Sequence, residues 1–169
     1  MNLLARSLVI TLIFVAGVST ASAQMTKDGT FDFTICFTGS SKVIDFDEQH
    51  VAFAWVDEKG FARSHPPGGA FDMMWFRCVG SGGVIEGKRP VDDYCELADQ
   101  DGDKVFVIHR IVTDLSTNTR DSKVEILAGT GKYTGIRGTG ESQSPLIFPE
   151  EDPDLYARCV RLNGDYKIS

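Results

Sequence analysis

Residues 126–141 read ILAGTGKYTGIRGTGE and hold five glycines: Gly129, Gly131, Gly135, Gly138 and Gly140. Glycine loses more backbone freedom on folding than any other residue. So dense a run therefore marks positions that need a positive φ or a close backbone approach. The apolar run Val124-Glu125-Ile126-Leu127-Ala128 leads into it, and Tyr133 and Ile136 sit between the glycines. The segment predicts a tight corner between two strands, with Tyr133 packing inward. It does not fit a nucleotide loop. A phosphate loop needs Gly, four residues, then Gly-Lys-Ser/Thr. Here Tyr133 follows Gly131-Lys132, and Ile126 stands where the first glycine belongs. The dinucleotide fingerprint fails as well, because Thr134 takes its last glycine position.

The rest of the chain alternates. Phe31, Phe33, Ile35 and Phe37 share one face of a strand, while Asp32, Thr34, Cys36 and Thr38 share the other. That is the period of a half-buried strand. Gly39-Ser40-Ser41 is expected to break it. Val51, Phe53 and Trp55 mark a second strand, and Asp57-Glu58-Lys59-Gly60 is expected to turn the chain. His65-Pro66-Pro67-Gly68-Gly69 cannot be regular strand. Residues 71–79 form a strand with Phe71, Met73, Trp75 and Arg77 on one face and Met74, Phe76 and Cys78 on the other, ended by Gly80-Ser81-Gly82-Gly83. Residues 92–97 and 104–113 follow as strands around Asp101-Gly102, a strong hairpin signal. Residues 116–122 form a polar turn, residues 144–153 a loop with three prolines, and residues 155–162 and 165–168 the closing strands. Short strands with turn chemistry between them, and no long segment of helical period past the N-terminus, predict an all-β sandwich or barrel in one domain over residues 24–169.

The glycine corner also carries a resemblance. Gly129-Thr130-Gly131-Lys132-Tyr133 followed by Gly135-Ile136-Arg137-Gly138 resembles the Gly-Thr-Gly-x-aromatic…Arg-Gly segment of dirigent proteins and the wider allene oxide cyclase-like barrels. It is similar, too, to a group of exported bacterial proteins of unassigned activity with a Gly-x-Gly-x-Tyr-x-Gly-Ile-x-Gly corner late in the chain. The match covers about a dozen residues, with a final Asn163-Gly164-Asp165-Tyr166 segment agreeing in pattern. The resemblance implies an antiparallel barrel of about eight strands with a central cavity. It also implies ring-closing or coupling-guiding chemistry inside that cavity, and assembly into dimers or trimers. No catalytic residue of the family aligns onto this chain.

Residues 1–23 read as a secretory signal: Arg6 as the charged start, an apolar core over residues 8–18, and Ala21-Ser22-Ala23 as the cleavage site. Cleavage after Ala23 predicts a periplasmic or secreted chain. The apolar run is too short to span a bilayer, and no Cys at the junction offers a lipid anchor. Arg6 is the only ionisable side chain in the signal, so its loss takes the net charge from −7 to −8. An acidic chain of this kind lacks the basic face that nucleic-acid binding needs.

Four cysteines, Cys36, Cys78, Cys95 and Cys159, in an oxidising compartment predict two disulfides. Three pairings exist, and the sequence by itself does not choose among them. Cys78–Cys95 across one hairpin is favoured. Cys36–Cys159 then joins the first and last strands, which are neighbours if a barrel closes. No C-x-x-C or H-x-x-H pair supports zinc. Asp99, Asp101 and Asp103 resemble a calcium loop, but Lys104 and Arg110 stand where an EF-hand needs its glycine and final glutamate. The reading is no metal and no cofactor.

Nucleophile elbows, Ser-x-x-Lys and His-Glu-x-x-His are missing from the sequence. His50, His65 and His109 lie in separate segments. Adjacent His109 and Arg110 must point to opposite faces, so one of them faces the interior. An arginine between apolar neighbours, Arg77, wants a carboxylate, and Glu125 is its candidate partner. Trp75, Arg77, His109 and Tyr133 are the candidate ligand-binding residues. The reading that follows is an exported, disulfide-stabilised barrel that binds a small apolar ligand. The alternatives are an isomerase- or cyclase-like enzyme working in the cavity, and a barrel that forms homo-oligomers or binds a partner through the acidic loop over residues 149–154.

Overall fold

A computed structural model describes residues 25–47, 50–143, 145–148 and 155–169. The expected signal over residues 1–23 and the acidic loop over residues 149–154 lie outside the described residues. The fold is all-β. Its strands are β1 (Asp28–Asp45), β2 (Val51–Ser64), β3 (Trp75–Val84), β4 (Lys88–Ala98), β5 (Lys104–Asp114), β6 (Thr119–Gly129), β7 (Ile136–Ser142), β8 (Leu146–Phe148) and β9 (Leu155–Ile168). Each strand pairs antiparallel with its neighbours in the order β1-β2-β3-β4-β5-β6-β7-β9, and β9 pairs back onto β1. Eight strands thus close a ring, and β8 continues the row of β7 along the edge of β9. Closure gives every wall strand a neighbour on both sides, which removes the open edges of a flat sheet.

The period-2 pattern of β1 holds: Phe31, Phe33 and Ile35 are buried inside the ring and Cys36 is exposed outside it. Several expected breaks are not breaks. β1 runs through Gly39 by a bulge between Thr38 and Ser40. β2 does not turn at residues 57–60. It absorbs the extra residue in a bulge between Trp55 and Glu58, with Asp57 at φ 63°. A bulge sets two residues against one, so Trp55 and Glu58, three apart in sequence, both face inward. β3 continues through Gly80 and Gly82, interior positions whose space is taken by neighbouring side chains. β4 begins earlier than expected, at Lys88. Residues 71–74 are not strand: Phe71 and Met73 have positive φ, and this turns the Phe71 ring into the end of the barrel.

Both disulfides are strand-to-strand cross-links. Cys78–Cys95 joins directly opposed residues of β3 and β4 inside the ring, and Cys36–Cys159 joins opposed residues of β1 and β9 outside it. The glycine segment is the expected corner. A 3-10 turn, Gly131–Tyr133, links β6 to β7, and Tyr133 is buried. Gly131 has φ 52°, and a Cβ there would stand 1.7 Å from Asp103 Oδ1. Only glycine lets the corner sit against the β4–β5 hairpin. The aspartates of that hairpin clasp it. Lys132 Nζ lies 2.6 Å from Asp99 and 3.1 Å from Asp101, the Lys132 N–H donates to Asp103, and the Tyr133 hydroxyl donates to Asp99 at 3.2 Å.

The barrel interior has two halves. At the end holding this corner, Phe31, Phe33, Phe71, Tyr133 and Tyr166 pack as one aromatic cluster, with ring centroids 5.6–6.3 Å apart. Met74, Leu97, Val105, Ile126 and Ile136 fill the space around them and are almost fully buried. This half is occupied by its own side chains. Along β4, toward the β1–β2, β3–β4 and β5–β6 hairpins, burial falls off: Leu97 and Cys95 are buried, but Asp93 and Val91 are half-buried. That end is the mouth.

Candidate functional site

At the mouth end the inward-facing residues turn polar. Strand alternation brings in Trp55 and Glu58 from β2, Asp93 from β4, His109 from β5, Arg120 and Ser122 from β6, Ser142 from β7, and Tyr156 and Arg158 from β9. They gather because the ring closes: β9 lies beside β1, so residues near the C-terminus meet those of β2 across a single strand.

The hydroxyl of Tyr156 donates to Glu58 Oε1. Glu58 is only 5% exposed. Burial pushes its carboxyl up to about 7, with the Asp93 charge adding, while the Tyr156 hydrogen bond and the Arg158 charge oppose. Burial likewise raises the Tyr156 phenol, and the Glu58 hydrogen bond and charge add to the rise. The Arg158 guanidinium lies 4.6 Å from the Tyr156 ring centre, so a cation covers the same ring. Burial lowers the Arg120 guanidinium, with Arg89 adding and Asp93 opposing.

A second run of contacts crosses the wall. His109 Nε2 lies 2.8 Å from Ser142 Oγ, and His109 Nδ1 lies 3.6 Å from Asp93 Oδ2. Arg120 Nη2 donates to Ser142 Oγ at 2.9 Å, and Ser122 Oγ stands 2.9 Å from the same oxygen. Here β6 and β7 pair only from Val124↔Gly140 to Ile126↔Gly138. Beyond that the ladder is replaced by side chains: Arg120 Nη1 donates to the Ser142 and Gln143 carbonyls, and the Ser142 N–H donates to Ser122.

Among the described residues, three buried polar atoms of the mouth half have no hydrogen-bond partner: Trp55 Nε1, Asp93 Oδ1 and Arg158 Nε. Buried polar atoms in native folds are nearly always paired, so unpaired ones ask for an explanation. Two of them share a cradle. A Cβ on Gly80 would stand 2.2 Å from Asp93 Oδ1 and 2.5 Å from Trp55 Nε1. Glycine at that position lets donor and acceptor both approach the β3 backbone where a Cβ would collide with them. Trp55 also stacks on Phe53, with centroids 5.2 Å apart and an interplanar angle of 18°.

Of the four residues singled out from sequence, the structure brings one, His109, into this group. Trp75 sits on the outer face, edge-on to Phe61 at 4.9 Å. Arg77 is also outside. Its carboxylate partner is Asp57 at 2.8 Å and not Glu125, which pairs instead with Arg110 at 3.1 Å. The reason is the β2 bulge, which brings Asp57 alongside Arg77. Tyr133 lies in the apolar half, tied to Asp99. Sequence reasoning missed Glu58, Asp93, Ser142, Tyr156 and Arg158. Asp93 shares its alternation with Cys95 and Leu97, Ser142 with Ile136, and Tyr156 and Arg158 with Val160 and Leu162. A polar residue in phase with apolar ones was the available signal.

Among the described residues, no group of three or more His, Cys, Asp or Glu side chains could hold a metal ion. A recess of about 500 Å³ lies at the rim beside Phe46, His50, Ile85 and Pro90, and none of the interior polar residues lines it.

No family model matches the chain, and no curated protein does. Among solved structures, the chain is similar to a pterocarpan synthase dirigent protein, with a TM-score of 0.48 and 10% identity, covering 86% of this chain and 90% of that one. The likeness concerns the fold alone.

Proposed function

We propose that the protein is a disulfide-stabilised binding barrel that takes a small, oxygen-bearing organic molecule into the polar half of its interior. The observation that carries this reading is the set of unpaired buried atoms, Trp55 Nε1, Asp93 Oδ1 and Arg158 Nε. Two can only donate and one can only accept. A ligand with a carbonyl or carboxylate oxygen for Trp55 or Arg158, and a hydroxyl for Asp93, satisfies them. Its apolar body rests on the stacked Phe53–Trp55 pair. The apolar ligand expected from the aromatic strands thus becomes an apolar body with a polar head, because the apolar half is already filled. The two disulfides fit a protein that works in an oxidising compartment.

Native mass spectrometry of the oxidised protein, purified from the cells that export it, tests the reading. The expected result is a retained small molecule that disappears in Trp55→Phe and Asp93→Asn while the circular dichroism stays unchanged. A bare wild-type mass, together with no binding to a panel of hydroxy-carbonyl compounds, would overturn it.

Glu58 favours a second reading, an isomerase- or cyclase-like enzyme. A carboxyl held at about 7 beside a phenol is matched to proton transfer near neutral pH. Turnover of the retained ligand by wild type and not by Glu58→Gln would support it. Equal turnover in both would remove it.

A further inference from the structure

Donor–acceptor bookkeeping narrows the direction of the contacts at Ser142, whose hydroxyl oxygen has three polar neighbours: Arg120, His109 and Ser122. Arg120 can only donate, so Ser142 Oγ accepts from Nη2 at 2.9 Å. In the orientation that serves catalysis the Ser142 hydroxyl proton points at His109 Nε2, 2.8 Å away, and not at Ser122 Oγ, 2.9 Å away. An Nε2 that accepts leaves the ring proton on Nδ1, and Nδ1 is the nitrogen that faces Asp93 Oδ2 at 3.6 Å. The chain of polarity runs Ser142 O–H to His109 to Asp93. One ring nitrogen lies within hydrogen-bond distance of a hydroxyl, and the other faces a carboxylate at 3.6 Å. The 3.6 Å separation is within the looser range of sites before substrate binds.

We infer that Ser142, His109 and Asp93 form a serine acyl-transfer centre that cleaves small carboxylic esters entering at the mouth. The three residues come from β7, β5 and β4, and no sequence motif links them. Such centres are defined by geometry and role and not by order in the chain. In the first step Ser142 Oγ adds to the acyl carbon as its proton passes to His109 Nε2. The bond to the leaving alcohol then breaks, and His109 returns the proton to that oxygen. Water adds to the acyl-Ser142 by the same route, giving the free acid and restoring the serine. Ester and water become acid and alcohol, with no other reactant. Arg120 Nη2 is a fixed positive donor to Ser142 Oγ and favours the serine oxygen as it gives up its proton. Asp93 is a positioning residue that holds the imidazole through Nδ1.

The inference shares Asp93 with the binding reading, through Oδ2 and not the unpaired Oδ1, so Asp93→Asn bears on both, while Trp55→Phe and Ser142→Ala let the two readings fail separately. The test is covalent labelling of the oxidised full-length protein with an alkyl fluorophosphonate, which traps a nucleophilic serine with loss of fluoride. The expected result is a single adduct on the peptide holding Ser142, absent in Ser142→Ala and slowed at least about a hundredfold in His109→Gln. Asp93→Asn should label at least about tenfold more slowly at saturating reagent, where binding does not set the rate. A merely structural role for Asp93 would instead change the melting curve and leave the rate of the folded fraction alone. Ser122→Ala should still label at Ser142. Release of p-nitrophenol from p-nitrophenyl acetate should follow the same ranking. No adduct at Ser142 in the folded wild type, or a wild-type labelling rate in His109→Gln, would overturn the inference.

Discussion

Tyr156 on β9 and Glu58 on β2 meet across the intervening strand β1, the phenol donating to the carboxylate directly over Gly39. A Cβ on Gly39 would lie 2.8 Å from the Tyr156 hydroxyl and 3.0 Å from Glu58 Cγ. The contact therefore depends on three strands at once: the bulge that aims Glu58 inward, the closure that brings β9 beside β1, and a glycine between them. It puts a carboxyl with a pKa of about 7 in the wall of the mouth.

That carboxyl predicts a pH dependence of stability. The folded-state value lies above the ordinary carboxyl value of 4.5, so the folded chain holds this proton more tightly than the unfolded one. The contribution is fully present below about pH 4.5 and is lost as pH rises through about 7. The span corresponds to roughly 3 kcal/mol. Urea unfolding at pH 5 and pH 8 should show wild type losing stability relative to Glu58→Gln at the higher pH. Parallel curves for the two proteins would refute the assignment.

Gly131→Ala should cost at least about 2 kcal/mol, because it forces a side chain into both a left-handed backbone and the Asp103 carboxylate. Asp103→Ala in the same chain should recover the part due to collision and leave the part due to backbone strain. Chemical denaturation of the two single variants and the double variant separates them.

The two disulfides should reduce in order. Cys36 is exposed on the outer face, whereas Cys78 and Cys95 are 2% and 8% exposed within the core. Titration with dithiothreitol, followed by alkylation and intact mass, should open Cys36–Cys159 first, and Cys78–Cys95 only as the barrel unfolds. Loss of the outer link should itself lower stability by roughly 4–5 kcal/mol. It ties residues 123 apart in sequence, and long loops lose the most unfolded-state entropy.

Gly80→Ala tests the cradle. The added methyl would fall between Asp93 Oδ1 and Trp55 Nε1, and 2.8 Å from the Asp92 carbonyl. Retention of the bound molecule should be lost, at a stability cost of about 1–3 kcal/mol for the crowded site. Ligand retained at wild-type stoichiometry would place binding elsewhere.

Much of the wall was legible in the residues. Phe31, Phe33, Ile35 and Phe37 announce an inward face, the glycines and Tyr133 announce a corner, and an even set of cysteines announces cross-links. These signals are local. A strand's side chains alternate by backbone geometry, and a left-handed turn demands glycine wherever it occurs. The site was not local. Trp55 and Glu58 differ in sequence parity and share a face only because a bulge intervenes. The residues 57–60 that resemble a turn are strand for the same reason. Arg77 and Trp75, conspicuous in sequence, fall outside the ring because Met74, Phe76 and Cys78 take the inner face.

The sequence by itself determined an antiparallel wall, which residues of most strands share a face, and where one corner lies, because each follows from sterics within a few residues. Only the tertiary structure decided that the wall closes through β1 and β9, that one half of the interior is apolar and full, and that Glu58, Asp93, His109, Ser142, Tyr156 and Arg158 gather in the other. Their meeting depends on long-range register and two bulges. Register is set by how the whole set of strands packs its inner face, and no short stretch of chain contains that information.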